Sequence, residues 1–425
     1  MSGSQHVAVV GGSLAGLRAA EQLRAAGHQG PVTVFGDEPH LPYNRPPLSK
    51  EVLADRTRDT AALMHERLAF RRRASVDDVT FRLGQAVAAC DLTARTLTLP
   101  DGDTASFDGL VIASGLRPRR LRLEGPQRGR HVLRTIEDCL ALQASLAEPS
   151  RVVVIGAGFI GCETAATLTS LGHEVVVVEP TGPPMNRVIG SALAGAIQAH
   201  HEAHGIRFVI GPGVRGLTGD GADVARTASA ADLAAAGDRV TGVLLDDGST
   251  IEADVVVEAV GSVCNTEWLA GNAGLDLTDG VLTANDLAVL GAERVVAVGD
   301  VARFPNPMFD EVARRVEHWS MPTDTAKRAA RTLVAQLGGQ APDPTPFAPI
   351  PSFWSDQFDL RLQSYGSPGL ADEVTVEEGD LADLPAGVLT RHTRAGALVG
   401  YLAVNLPGAR QRDLRDAFVA LAPSA

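Results

Sequence analysis

Aromatic side chains make up only 4% of this 425-residue chain, and just three of them are tryptophan. A core this poor in rings has to be filled by alanine, valine and leucine, which favours an α/β architecture. Basic charge is also short. Lysine and arginine number 38 against 51 aspartates and glutamates, a formal net charge of −13. Binding a phosphate backbone needs a concentrated basic face, so no nucleic-acid partner is expected. The four cysteines, Cys90, Cys139, Cys162 and Cys264, are scattered with no C-x-x-C spacing. That excludes a cysteine zinc knuckle and a dithiol redox pair, and it fits reduced thiols in a cytoplasmic protein. Long apolar runs are missing too. Val175–Val178 and Val255–Val257 are strand-length, far below the roughly 20 residues of a membrane span, so no membrane association is expected. The opening M-S-G-S-Q-H-V has no basic segment followed by an apolar core, so no signal peptide is expected either.

What the chain does contain is length for two or three domains and a repeated pattern. An apolar strand at Val7–Val10, a glycine-rich turn and an Ala/Leu helix reaching Ala26 are closed by Gly27. A second strand follows at Val32–Phe35. The same order returns with a strand at Val152–Ile155, the turn Gly156-Ala157-Gly158-Phe159-Ile160-Gly161, a helix over Cys162–Leu171, Gly172, and a strand at Val175–Val178. The two halves form an internal duplication of a βαβ unit. Further strand-and-turn patterns are expected at Phe107–Gly115, Ala253–Gly261 and Arg294–Asp300, with a helix over Thr323–Leu337. Gly338–Pro351 reads as a linker to a smaller α+β domain, and Ala222–Gly237 as a polar loop inserted in a hairpin.

The turn chemistry names a ligand class. In G-x-G-x-x-G the first glycine makes the bend, the second lets backbone approach a pyrophosphate, and the third lets helix and strand pack closely. The phosphate then meets the positive end of the helix. The second unit supplies all three glycines, Gly156, Gly158 and Gly161. Glu179 stands at the end of its next strand, placed to bind a ribose diol. Its charge repels a 2′-phosphate, and no Arg or Lys lies between it and Arg187, so NADH is favoured over NADPH. The first unit reads Gly11-Gly12-Ser13-Leu14-Ala15-Gly16, with Ser13 where the middle glycine is expected and Asp37 as the ribose partner. Two such units imply two nucleotides, or one cofactor and one cosubstrate.

More specific stretches accompany them: Leu41–Lys50 (L-P-Y-N-R-P-P-L-S-K), Leu133–Asp138 (L-R-T-I-E-D), Ala297–Phe304 (A-V-G-D-V-A-R-F), Glu317–Ser320 (E-H-W-S) and Phe353–Gln357 (F-W-S-D-Q). With these the chain resembles, over essentially its whole length, the FAD-dependent, NADH-linked ferredoxin reductases of the putidaredoxin reductase and biphenyl dioxygenase reductase type. These sit within the two-dinucleotide-domain flavoproteins that include glutathione reductase and apoptosis-inducing factor. The resemblance implies two Rossmann-like domains and a small α+β C-terminal domain. The divisions are 1–120 and 263–337 for FAD, 121–262 for NAD, and 338–425 for the terminal domain. It implies that Gly11–Gly16, Asp37 and Glu38 hold the ADP half of FAD. Arg45, Pro46, Lys50, Val87 and Arg134 are expected at the flavin. So are Ala113-Ser114-Gly115, Gly299, Asp300, Glu317, His318 and Trp319. NADH would lie on Gly156, Gly158, Phe159, Ile160, Gly161, Glu179 and Arg187, with Gly261 lining the nicotinamide. Lys50 and Glu163 are the expected catalytic pair. A [2Fe-2S] ferredoxin is the implied partner, docking through Arg314-Arg315, with the protein a monomer or homodimer.

Plainer readings stand beside these. Lys50 could simply open a helix with Ser49 as its cap, Glu163 could be a surface helix residue, and the tryptophans could be packing residues. Arg71-Arg72-Arg73 reads as a solvated face. His200 and His204 have the four-residue spacing that chelates metals on a helix, but Glu202 is one place off H-E-x-x-H and Gly205 stops the helix, so no metal is expected. Competing functions are an NADH oxidase or diaphorase, and a nucleotide-responsive interaction protein resembling apoptosis-inducing factor. A disulfide reductase would need a cysteine within Asp37–Lys50, and there is none.

Overall fold

The valine-rich strands that alternate with Ala/Leu helices are buried on both faces and assemble into two parallel five-stranded sheets. The computed structural model describes residues 5–55, 63, 67–146, 148–220 and 239–421. In the first sheet the order is Val295–Ala297, Gly109–Ile112, Val7–Val10, Val32–Phe35 and Thr80–Arg82. In the second it is Arg207–Ile210, Glu174–Glu179, Arg151–Ile155, Val255–Glu258 and Arg130–His131. Because Val295–Ala297 pairs with Gly109–Ile112, the first sheet is closed by a strand that comes after the whole of the second.

The duplication extends to individual backbone bonds. Gly11 N donates to Phe35 O and Gly156 N donates to Val178 O, both at 2.8 Å. Ala113 N donates to Val10 O and Ala259 N to Ile155 O, again both at 2.8 Å. In each unit the first glycine has a positive φ, 129° at Gly11 and 102° at Gly156. A Cβ there would lie 2.0 Å from Ala113 O or 2.4 Å from Ala259 O. The third glycine is packed just as closely, because a Cβ on Gly16 or Gly161 would lie 1.9 or 2.1 Å from the carbonyl of the first. The turn is glycine-rich because helix and strand touch backbone to backbone.

Helices begin earlier than the sequence pattern suggests. The second nucleotide helix is Phe159–Ser170, with Gly158 as its cap, and the long helix is Met321–Leu337, with a proline in its first turn. Turn residues of G-x-G-x-x-G are thus already helical, which periodicity alone does not reveal. Gly338–Pro351 carries no helix or strand, but it is not a free linker. Asn285 and Asn306 side chains donate to Phe347 O and Pro349 O, which straps it to the first unit. Beyond it stands a five-stranded antiparallel sheet in the order Ser352–Gln357, Leu360–Gly366, Ala397–Val404, Val388–Arg394 and Glu373–Glu378, followed by the helix Gly408–Val419. The antiparallel strands Val214–Gly219 and Val240–Leu245 flank the insertion read at Ala222–Gly237, which lies outside the described residues. Among the described residues, no helix is long and apolar enough to cross a membrane.

Candidate active site

Ser13 is accommodated by geometry. It caps the helix Leu14–Ala25 in extended backbone (φ −112°, ψ −161°), a conformation open to any residue. Its counterpart Gly158 is also extended, and a Cβ there would meet nothing within 4 Å. The middle position of the second turn is therefore open, as a cradle for a pyrophosphate requires. Ser13 Oγ accepts from Arg45 Nε at 3.3 Å, and Arg45 Nη1 donates to Arg134 O at 2.8 Å. Arg45 also pairs with Glu38, which accepts from Tyr43 Oη at 2.6 Å. The Leu41–Lys50 stretch is thus folded back over the first turn.

In the second unit Glu179 accepts from Ala157 N at 3.0 Å and from Thr181 N and Oγ1 at 2.9 and 2.6 Å. Burial works against its charge, but these hydrogen bonds outweigh it and hold the carboxyl below its ordinary range. An anion is therefore fixed at the end of the strand where a ribose would bind. Arg187, on the short helix Asn186–Ile189, adds a weaker favourable charge. Phe159 is held edge-on to Phe353 at 4.7 Å, while its neighbour Ile160 stays exposed.

The two units meet at a buried ion pair. Lys50 joins the 3₁₀ turn Pro46–Ser49 to the short helix Glu51–Ala54, and its Nζ is 2.7 Å from Glu163 Oε2. The Glu163 side chain is only 7% exposed. Its Oε2 accepts from Ser49 Oγ and its Oε1 from Ser355 Oγ, both at 2.6 Å. Ser355 in turn accepts from Gln357 Nε2 at 3.0 Å. Ser49 therefore caps nothing, and Glu163 is not a surface residue; on both points the structure corrects the plainer reading. Ser49, Ser355 and Gln357 were not singled out as site residues, although they stand inside the L-S-K and F-W-S-D-Q stretches. A hydroxyl's partner is invisible until the third domain is folded onto the first two.

A second ion pair joins two further expected residues. Arg134 Nη2 lies 3.7 Å from Asp300 Oδ2. Burial lowers the Arg134 pKa, with nearby Arg45 adding to it; burial raises that of Asp300, and Arg134 only partly offsets this. Gly299 has φ 70°, and a Cβ would lie 2.8 Å from Ala15, so the Asp300 turn packs directly on the first glycine turn. Ser114 Oγ donates to Asn265 O at 2.6 Å, and Gly115 and Gly261 face open space at positive φ. Glu317 accepts from Ser262 Oγ at 3.0 Å. Burial pushes the His318 imidazole down to about 4, and its Nδ1 is buried without a hydrogen-bond partner among the described residues. A buried nitrogen left unsatisfied calls for a partner that the described residues do not supply. Trp319 is 41% exposed and meets Trp354 edge-on at 5.3 Å. Val87 packs against the core of the first unit, and Asp37 is exposed at the end of its strand.

Arg314 and Arg315 form a less open basic patch than their sequence suggests. Arg314 is held by Asp310 at 2.5 and 2.9 Å, and Arg315 by Asp279 and Glu317 at 2.6 and 2.7 Å. All four cysteines are free thiols, three of them buried. Burial pushes the Cys162 thiol up, Glu163 adding to the effect, so it stays protonated and unreactive.

Residues 5–326 match the family model described as pyridine nucleotide-disulphide oxidoreductase, and residues 352–417 match the reductase C-terminal model. The chain belongs to the pyridine nucleotide-disulphide oxidoreductase family. Among its members, rhodocoxin reductase of Rhodococcus erythropolis is 35% identical over 406 residues, covering 94% of this chain and 86% of that one. The crystal structure of the ferredoxin reductase for the CYP199A2 system from Rhodopseudomonas palustris superposes with a TM-score of 0.81. It is 33% identical and covers 95% of this chain and 91% of its own. The covalent putidaredoxin reductase–putidaredoxin complex gives a TM-score of 0.82 at 28% identity, covering 99% and 93%. The family is named for disulphide chemistry, yet this member has only free cysteines.

Proposed function

We propose that the protein is an FAD-dependent NADH:ferredoxin oxidoreductase. It would pass electrons to a [2Fe-2S] ferredoxin that supplies a cytochrome P450 or a ring-hydroxylating dioxygenase. The observation that carries this reading is the Lys50–Glu163 contact at 2.7 Å, which ties the loop of one nucleotide unit to the first helix of the other. FAD would lie along the first turn, reached by Arg45, Arg134 and Asp300, and NADH along the second. The divisions expected from the sequence, 1–120 with 263–337, 121–262, and 338–425, are consistent with this placement. Four unpaired thiols suit the cytoplasm.

Held by Arg45, Arg134 and Asp300, FAD would supply the chemistry that lets a two-electron donor, NADH, meet a one-electron iron–sulfur acceptor. The chain's part is orientation and charge. Lys50 sets a fixed positive charge at the junction of the two cradles. Glu163 holds it in place and, with its own Oε1 and Oε2 already bonded to Ser355 and Ser49, has no freedom to swing away. Burial of Glu163 and partial burial of Lys50 reduce the screening of the pair by water and strengthen its field. Glu179 accepts ribose hydroxyls and repels a 2′-phosphate, which selects NADH over NADPH.

The decisive experiment is the absorption spectrum of purified protein before and after anaerobic NADH, followed by NADH-dependent cytochrome c reduction with and without candidate ferredoxins. Flavin absorption that bleaches with NADH, and reduction stimulated by a ferredoxin, are expected. A protein that binds no flavin rejects the assignment, whereas bleaching with rapid oxygen consumption and no ferredoxin stimulation would favour an oxidase or diaphorase.

A further inference from the structure

His200 and His204 lie one turn apart near the end of the helix Ser191–Ala203, and the fold brings a third donor to them from 159 positions away in sequence. Asp359 stands in the tight turn between strands Ser352–Gln357 and Leu360–Gly366 of the C-terminal sheet. Its Oδ1 is 2.7 Å from His200 Nε2 and 3.9 Å from His204 Nε2. One ligand atom from each of the three lies within 4.8 Å of the others. We propose that His200, His204 and Asp359 form a divalent-cation site, selective for zinc, that clamps the C-terminal sheet to the helix of the second nucleotide unit.

The surroundings already prepare the donors. His204 Nδ1 is 2.8 Å from the carbonyl oxygen of His200. A carbonyl can only accept, so Nδ1 carries the hydrogen. In the neutral ring this leaves the Nε2 lone pair on the side of Asp359, the arrangement in which metal-binding histidines are held by their backbone. The His204 ring is stacked on Phe358 at 4.4 Å with 20° between planes, which fixes its direction. Phe358 takes φ 55°, and Asn405 Nδ2 donates to Asp359 O at 3.0 Å, so the turn that presents the carboxylate is pinned on its own side. Tetrahedral zinc at about 2.0–2.2 Å from nitrogen and oxygen needs donors about 3.3–3.5 Å apart. The observed separations bracket that value, and shifts of about 1 Å are open to the Asp359 side chain, 54% exposed, and to His204, 38% exposed. Two imidazoles and one carboxylate favour zinc-class cations over magnesium or calcium, which prefer all-oxygen sites. With His204 and Asp359 exposed, a water would complete the fourth position.

The site departs from the expectation of no metal drawn from H-H-E-A-H alone, since the third donor comes from another domain and not from the helix. It also touches the active site through one strand, because Ser355 and Gln357, which support Glu163, immediately precede the turn. Filling it would stiffen that strand.

The test uses the full-length flavoprotein, freed of metal by chelator and dialysed. Titration with zinc chloride in a calorimeter should show one equivalent bound with a dissociation constant of roughly micromolar size. The melting temperature should rise by a few degrees as zinc is raised well above that constant. Magnesium at the same concentration should do neither. His204→Gln and Asp359→Asn should each abolish the zinc response while keeping the flavin spectrum and the metal-free melting temperature. Absence of binding in the parent protein overturns the proposal. So does equal zinc binding in both variants, which would place the cation elsewhere, for instance on a thiol.

Discussion

Lys50 and Glu163 differ in what they leave behind when removed. Lys50→Ala leaves a carboxylate still bonded to Ser49 and Ser355, so the protein should fold and keep its flavin. The anaerobic rate of bleaching by NADH, read by stopped flow, should fall on the order of 10- to 100-fold, the scale of losing one preorganised charge. A variant that bleaches at the parental rate would remove Lys50 from the chemistry. Ser355→Ala withdraws a donor from a buried carboxylate, and a hydrogen bond to a charged group is worth about 1.5–3 kcal/mol. A urea melt of the flavin-loaded protein should show that loss, with NADH turnover also reduced. At this scale the sequence exposed only half of the site. Lys50 closes a recognisable stretch and Glu163 follows the second glycine turn, but their hydroxyl partners are ordinary serines whose value depends on which chain segment folds against them.

At the scale of elements, the two glycine turns separate into positions that shape the fold and positions that admit a ligand. Gly16→Ala would drive a Cβ to 1.9 Å from the Gly11 carbonyl, so it should cost about 3 kcal/mol or more and release flavin. Gly158→Ala meets no atom within 4 Å at a relaxed φ of −75°. It should melt like the parent, yet raise the Michaelis constant for NADH. Equal effects of the two on stability would contradict this division. In the C-terminal sheet, the fully buried His392 is pushed down to about 4 by its burial. Its folded pKa lies below the unfolded value near 6.5, so its contribution to stability is present above pH 6.5 and is lost as pH falls towards 4. The whole contribution amounts to about 3 kcal/mol. Thermal melts of His392→Leu should be flatter than the parent across that window, and an unchanged slope would rule this out.

The whole molecule carries a net charge of −13, so an acidic ferredoxin has to find a local region where that field is relieved. Arg314 and Arg315 are paired with carboxylates, Arg315 with Glu317, and stand close in sequence to the exposed Trp319. Replacing both with glutamine should raise the Michaelis constant for ferredoxin at low salt and leave that for NADH unchanged. The parent's constant should rise with ionic strength. Ferredoxin kinetics unaffected by the double change would move docking to another face.

By itself the sequence determined what depends on neighbours along the chain. The strands Val7–Val10 and Val32–Phe35 were legible because runs of valine have few other places to go, and the turns because only glycine bears those backbone contacts. Tertiary structure decided whatever joins distant segments. It closed the first sheet with Val295–Ala297, strapped Gly338–Pro351 to the first unit and brought Ser355 to Glu163. It also carried Asp359 to His200 and His204, a contact that helical spacing alone does not reveal. The physical reason is the same throughout: a backbone preference is a property of a few adjacent residues, whereas a hydrogen bond or a ligand set belongs to whichever side chains the packed core leaves within about 3 Å of each other.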